Sequence, residues 1–140
     1  MDLRISSEPT AAPADIEAVK GAVNHFNVDV TGVADWWPVT LLLRDEASTV
    51  QGGLLGDIWG GWLHVTYLWV AETARGRGHG RRLLQAAEGE ARRRGCRYVH
   101  LETFSFQARP FYETLGYSVF AELGEYPPGH AHYYLRKTLE

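Results

Sequence analysis

LHVTYLWV-AETARGRGHG-RRLLQAAEGEARRR, residues 63–94, is the stretch on which the fold turns. Leu63 to Val70 is dense in β-branched, aromatic and apolar residues and reads as a strand. The period then changes. From about Gly78 to Arg94 the apolar residues Leu83, Leu84, Ala87 and Ala91 recur on one helical face, and Gly95 is placed to end that helix in the left-handed conformation. Between strand and helix lies Arg75-Gly76-Arg77-Gly78-His79-Gly80-Arg81. Glycines at alternate positions let a backbone pass close to a ligand. They stand where the free N–H groups and dipole of a helix N-terminus favour an anion. Interleaved arginines suit a pyrophosphate.

Outward from this stretch the chain alternates elements. The first dozen residues read as a short edge strand and a Pro/Ala-rich connection. A helix opens at Ala14 or Asp15, with Ile16, Val19, Ala22, Val23 and Phe26 near the helical period. DVTGVADWWP (29–38) is turn-rich, with room for a short second helix. Thr40 to Arg44 reads as a buried strand, Val50 to Trp59 as a Gly-rich strand, and Gly60-Gly61 as a hairpin turn. Tyr98 to Phe104 is a strand and Ala108 to Leu115 a short helix stopped at Gly116. Tyr117 to Leu123 and Ala131 to Leu139 are the last strands, joined by GEYPPGH. This order predicts a single α+β domain over residues 1–140. It is a three-layer α/β/α arrangement with a mixed, mostly antiparallel twisted sheet of about seven strands and helices on both faces.

Composition excludes other classes. The 140 residues are 45% hydrophobic and 22% charged, which is neither a disordered nor a disulfide-framework chain. The net charge of −3 hides a segregation: residues 1–74 carry −7, residues 75–97 carry +6 and residues 98–140 carry −2. Cys96 is the single cysteine, so a Cys-based zinc site is excluded, and no metal-ligand set is read from the spacing. No stretch approaches the ~18 apolar residues of a membrane span, and the first residues lack an apolar run of signal-peptide length. The expectation is a cytoplasmic protein with no membrane partner.

Other phosphate motifs fit less well. A Walker loop needs a lysine that is absent between Lys20 and Lys137, and the dinucleotide pattern beginning at Gly76-x-Gly78 has Arg81 at its last glycine position. Arg75, Gly78 and Gly80 do match Arg/Gln-x-x-Gly-x-Gly/Ala. LWV (68–70) precedes this motif and ARPFYETLGY (108–117) follows it. With these three motifs in order the chain resembles the GNAT superfamily of N-acetyltransferases. The resemblance spans about residues 63–117 and implies a GNAT-like fold and acetyl-CoA as co-substrate. It implies main-chain bonds from Leu68, Trp69 and Val70 to the pantetheine arm. Arg75, Gly76, Arg77, Gly78, His79, Gly80 and Arg81 would wrap the pyrophosphate, with Arg77, Arg81 and Arg82 toward the outer phosphates. Tyr112 matches the tyrosine that protonates the departing thiolate. Ser105 stands where relatives place a cofactor-binding asparagine.

Acetyl transfer to an amine needs a base as well. Some GNAT enzymes carry a carboxylate four residues before the Leu68 position, where this chain has His64, and imidazole titrates near ~6.5. Strict alternation would put His64, Thr66, Leu68 and Val70 on one strand face. Glu102, on the next strand, is the rival base, a water relay is a third route, and His130 and His132 lie in or just after the loop that borders the acceptor pocket in many relatives. Trp36-Trp37 sits in the connection that often forms a wall of that pocket. Arg92, Arg93 and Arg94 fall at a helix C-terminus, which cations stabilise. The acidic balance outside residues 75–97 favours a cationic small-molecule amine as acceptor. A non-catalytic acyl-CoA-binding module and a protein or peptide N-acetyltransferase are the alternatives. The acidic remainder argues against a nucleic-acid partner. The aromatic surplus permits a homodimer without specifying one.

Overall fold

The computed structural model describes all 140 residues, in two compact units, Met1–Ala34 and Asp35–Glu140. The first unit holds α1 (Pro13–Thr31). Proline at the first turn suits a helix start, because its missing N–H has no intrahelical partner there. Gly32, at φ +72°, ends the helix by donating its N–H to Val28 O. The expected short second helix does not form: α1 runs on to Thr31. The expected edge strand in the first dozen residues is also absent, for Leu3 and Ile5 are fully solvent-exposed with no strand beside them.

The second unit is a six-stranded sheet. Its strands are β1 (Trp36–Arg44), β2 (Val50–Trp59), β3 (Trp62–Val70), β4 (Tyr98–Phe104), β5 (Ser118–Gly124) and β6 (Ala131–Thr138), with helices α2 (His79–Arg93) and α3 (Arg109–Thr114). Six strands stand in place of about seven because nothing pairs outside β1. The order is β1-β2-β3-β4-β6-β5, and β3–β4 is the one parallel pairing among five. The mixed, mostly antiparallel sheet is therefore as expected. β1 begins four residues earlier than the apolar run suggests, because Trp36 and Trp37 pair with Trp59 and Ile58 of β2.

One continuous core joins the sheet to both helices of this unit. Leu83, Leu84, Ala87 and Ala91 of α2 pack with Leu54, Leu63, Val65, Val99, Leu101, Tyr112 and Tyr117. A charge lies inside this apolar stripe. Glu88 is 3% exposed, accepts from Tyr117 Oη at 2.7 Å and pairs with Lys137 Nζ at 3.0 Å. Gly116 stands beside this pair. It holds φ +95°, a region that favours glycine, and lies in van der Waals reach of the Lys137 chain.

Two irregularities shape the middle of the sheet. The first is a bulge: Val65 pairs with Gly56 and Tyr67 with Leu55, leaving Thr66 as the extra residue, its hydroxyl donating to Leu55 O at 2.9 Å. Here β2 needs glycine, since a Cβ at Gly56 would collide with the His64 carbonyl. The second is a parting. β3 and β4 pair only from Trp62–Tyr98 to Val65–Leu101, and beyond that the two strands separate.

Candidate active site

The strand–turn–helix stretch builds the first half of the site. Arg75 folds back so that its Nε donates to Val70 O at 2.9 Å. Gly76 and Gly78 take φ +77° and +80°, a region that favours glycine, and Gly78 caps α2. The first backbone bond of α2 at this end is Arg82 N–H to Gly78 O, so the preceding amides point out of the helix. They face a groove of about 570 Å³. Leu68, Val70, Arg75, Gly76, Gly78, His79, Gly80 and Arg81 line one side of it, and Ala108, Phe111, Tyr112 and Leu115 the other. Arg77 is not among its lining residues. Trp69 is exposed on the other side of β3 from Leu68 and Val70.

The parting of β3 and β4 builds the second half. A cavity of about 470 Å³ lies in the gap, between Val65–Leu68 on one strand and Leu101, Glu102 and Thr103 on the other. Phe106, Gln107 and Tyr112 complete it. Leu68, Arg75, Ala108 and Tyr112 line both cavities, so the two meet there. Tyr112 is 7% exposed, and burial pushes its phenol up, which keeps the hydroxyl protonated and able to donate.

The sequence offers His64 and Glu102 as rival bases; the fold makes them partners. His64 Nε2 lies 3.0 Å from Glu102 Oε2 and 3.2 Å from Oε1. Only Glu102 lines the gap. His64 also stacks on His100, with ring centroids 4.2 Å apart. Desolvation, and then the neighbouring His64, pull His100 down, against the opposing charges of Glu102 and Asp57. The bulge corrects the expected strand face. Leu63 and Val65 point into the core before it, and Leu68 and Val70 pack against that core after it. His64 therefore stands on the opposite face from Leu68 and Val70.

Other candidates fall outside the two cavities. Ser105 lines neither; its N–H donates to Ala131 O and its Oγ accepts from Ala131 N–H, which ties the end of β4 to the start of β6. Gln107, which the sequence does not single out, does line the gap and accepts from Phe104 N–H at 2.8 Å. His130 and His132 join a ring cluster instead. His132 stacks on Phe104 at 4.4 Å and His130 meets Phe106 edge-on at 5.0 Å, so this cluster reaches the gap through Phe106. Trp36 donates to Asp57, while Trp37 donates to Glu90 and carries the Arg94 guanidinium 3.5 Å over its ring. Arg92 donates to Glu140 O. Arg92 and Arg94 thus tie the end of α2 to the C-terminus and to Trp37.

The sheet opens between two parallel strands with a glycine–arginine turn on a helix N-terminus beside the opening, the arrangement that the sequence resemblance implies. The comparisons with known proteins agree. Residues 20–117 match the acetyltransferase (GNAT) family, and the chain belongs to it. It is 44% identical over 95 residues to the blasticidin-S acetyltransferase of Streptomyces morookaense, covering 67% of this chain and 70% of that protein. It is 34% identical over 127 residues to an acetyltransferase of Agrobacterium fabrum, covering 90% and 93%. The crystal structure of a protein assigned as an acetyltransferase, from Agrobacterium tumefaciens, superposes with a TM-score of 0.90 at 31% identity, covering 99% of this chain and 100% of that one. The chain is thus an acetyltransferase enzyme. No helix in it is long and apolar enough to cross a membrane.

Proposed function

We propose that this enzyme transfers the acetyl group of acetyl-CoA directly to a primary amine of a small molecule, with Glu102 as base and Tyr112 as acid. The observation that carries this reading is the meeting of the two cavities at Leu68, Arg75, Ala108 and Tyr112. The glycine–arginine groove suits the pyrophosphate and pantetheine. The main chain at Leu68, on the side of β3 that β4 has left, suits a pantetheine amide, while Val70 O is held by Arg75 Nε. The gap holds the amine. Its nitrogen attacks the thioester carbonyl and the C–S bond breaks. The ammonium proton passes to Glu102, directly or through one water, and Tyr112 donates its proton to the thiolate. His64 acts through Glu102 as a positioning residue. Residues 1–140 work as one domain in this reading, since the family match begins inside α1 and ends beyond α3.

The small-molecule acceptor rests on the relative named for blasticidin S. A cationic amine suits a gap lined by a carboxylate. Thiol release from acetyl-CoA across a panel of small amines and peptides tests the reading. Glu102→Gln should lower kcat by roughly 10²–10⁴-fold while acetyl-CoA affinity stays within about twofold. Tyr112→Phe should lower kcat in the same way. Release with peptides alone moves the acceptor class. Release unchanged by Glu102→Gln overturns the base.

A further inference from the structure

His64, His100 and Glu102 stand together on the sheet face turned away from α2. Parallel register puts His64 opposite His100, and Glu102 follows two residues on, on the same side of β4. The two imidazoles stack nearly parallel, 8° apart in plane. One nitrogen or carboxylate oxygen from each of the three residues lies within 4.8 Å of the others. All three side chains are half-buried. Asp57 is opposite His64 on β2, on the same face. Acetyl transfer, as derived above, uses Glu102 and gives His100 no task.

We propose that His64, His100 and Glu102 form a binding site for a divalent transition metal of the zinc class, whose occupancy takes Glu102 out of service as the base. The second part rests on the proposed role of Glu102. Two imidazoles and a carboxylate are borderline donors that zinc accepts, at about 2.0–2.2 Å. In a tetrahedron such donors stand roughly 3.3 Å from one another. The His64–Glu102 separation of 3.0 Å is already close to that. Stacked rings aim their lone pairs in parallel, so His100 must turn about χ2 to converge, and that torsion has a broad minimum. His64 and His100 are paired across β3 and β4, and Glu102 pairs with Tyr134 of β6, which fixes all three Cα positions. Partial exposure leaves a fourth position for water, and the Asp57 carboxylate adds negative charge beside the site. A carboxylate bound to the metal no longer accepts a proton from the amine.

The test is zinc titration of chelator-stripped protein against a chromophoric chelator at fixed pH. Wild type should take up one Zn²⁺ per chain. His100→Asn should weaken uptake at least tenfold, and His100→Ala should repeat that result. The H130A/H132A double variant, which removes the other clustered histidines, should bind as wild type does. Thermal melts of the metal-free variants show whether they fold. Zinc should also inhibit thiol release by wild type and spare His100→Asn, each compared with its own zinc-free rate. Absence of stoichiometric uptake by wild type, or equal uptake by folded His100→Asn, overturns the site. Uptake without inhibition retains the metal site and overturns Glu102 as the base.

Discussion

Lys137→Met should destabilise this protein more than Glu88→Ala, although the two residues form one ion pair. The difference lies in which charge can escape. The Glu88 side chain is 5% exposed and the Lys137 side chain 22%. Breaking a buried pair by removing one partner costs about 3–5 kcal/mol, because the other charge stays in the interior. Without Lys137, the Glu88 carboxylate keeps only the Tyr117 hydroxyl as donor, which places the loss near the top of that range. Without Glu88, the ammonium swings toward solvent and the loss falls near ~3 kcal/mol. For 140 residues each kcal/mol moves Tm by roughly 3–4 °C, so the drops are about 15 and 10 °C. The E88L/K137M double variant replaces the pair with apolar volume and should recover most of the loss. What remains is the unpaired Tyr117 hydroxyl, about 1–3 kcal/mol, which adding Tyr117→Phe removes. Urea unfolding monitored by tryptophan fluorescence gives all four values. A Lys137→Met cost below about 1 kcal/mol, or a double variant as unstable as the sum of its singles, refutes this account of the pair.

Two further perturbations address the turn and the pH response. Gly78→Ala meets no neighbour but must hold φ +80°, at a cost of roughly 1–2 kcal/mol, whereas Gly80→Ala has an ordinary φ and only a 3.4 Å contact with Phe111. Gly78→Ala should therefore lower Tm and raise the KM for acetyl-CoA, and Gly80→Ala should change both less; the reverse order would contradict the turn geometry. Burial holds the Cys96 thiol and the Tyr112 and Tyr117 phenols above their ordinary values, with the Glu88 charge adding to the rise at Tyr117. The folded state thus keeps protons that the unfolded chain releases. Stability is full below about pH 8.5, where unfolded thiols begin to ionise, and falls as pH rises, most steeply above ~10. Tm measured from pH 7 to 11 should show that decline, and Tyr117→Phe should flatten it; a Tm that rises toward pH 11 would show the sign to be wrong.

The glycine–arginine turn was legible because three local rules coincide at residues 75–81: a strand ends, left-handed positions are needed, and a helix begins. Fold class and most elements follow from the change of period on either side. What local patterning misses is what pairing decides. Thr66 is invisible as a bulge in LHVTYLWV, since every residue there suits a strand, and so simple alternation puts His64 on the wrong face. The His64–Glu102 contact depends on the register of two parallel strands separated by a helix. Gln107 gives no signal in the sequence because its place in the gap depends on the turn after β4, which Ser105 closes by accepting from Ala131 N–H. Glu88 did leave a signal: it sits four residues after Leu84 on the apolar stripe of α2, where an acid needs a buried partner.

The extra residue at Thr66 also divides strand β3 into two independently anchored parts. Upstream, Trp62 to Val65 is clamped between β2 and β4 and carries the imidazole that lies 3.0 Å from Glu102. Downstream, Tyr67 to Val70 is held by β2 alone and runs beside the glycine–arginine groove. The two parts meet at a single bulge residue, Thr66, which is itself tied to Leu55 O. In the proposed mechanism the base is steadied from the first part and the thioester is held along the second, so a substitution on one side of Thr66 need not displace the other.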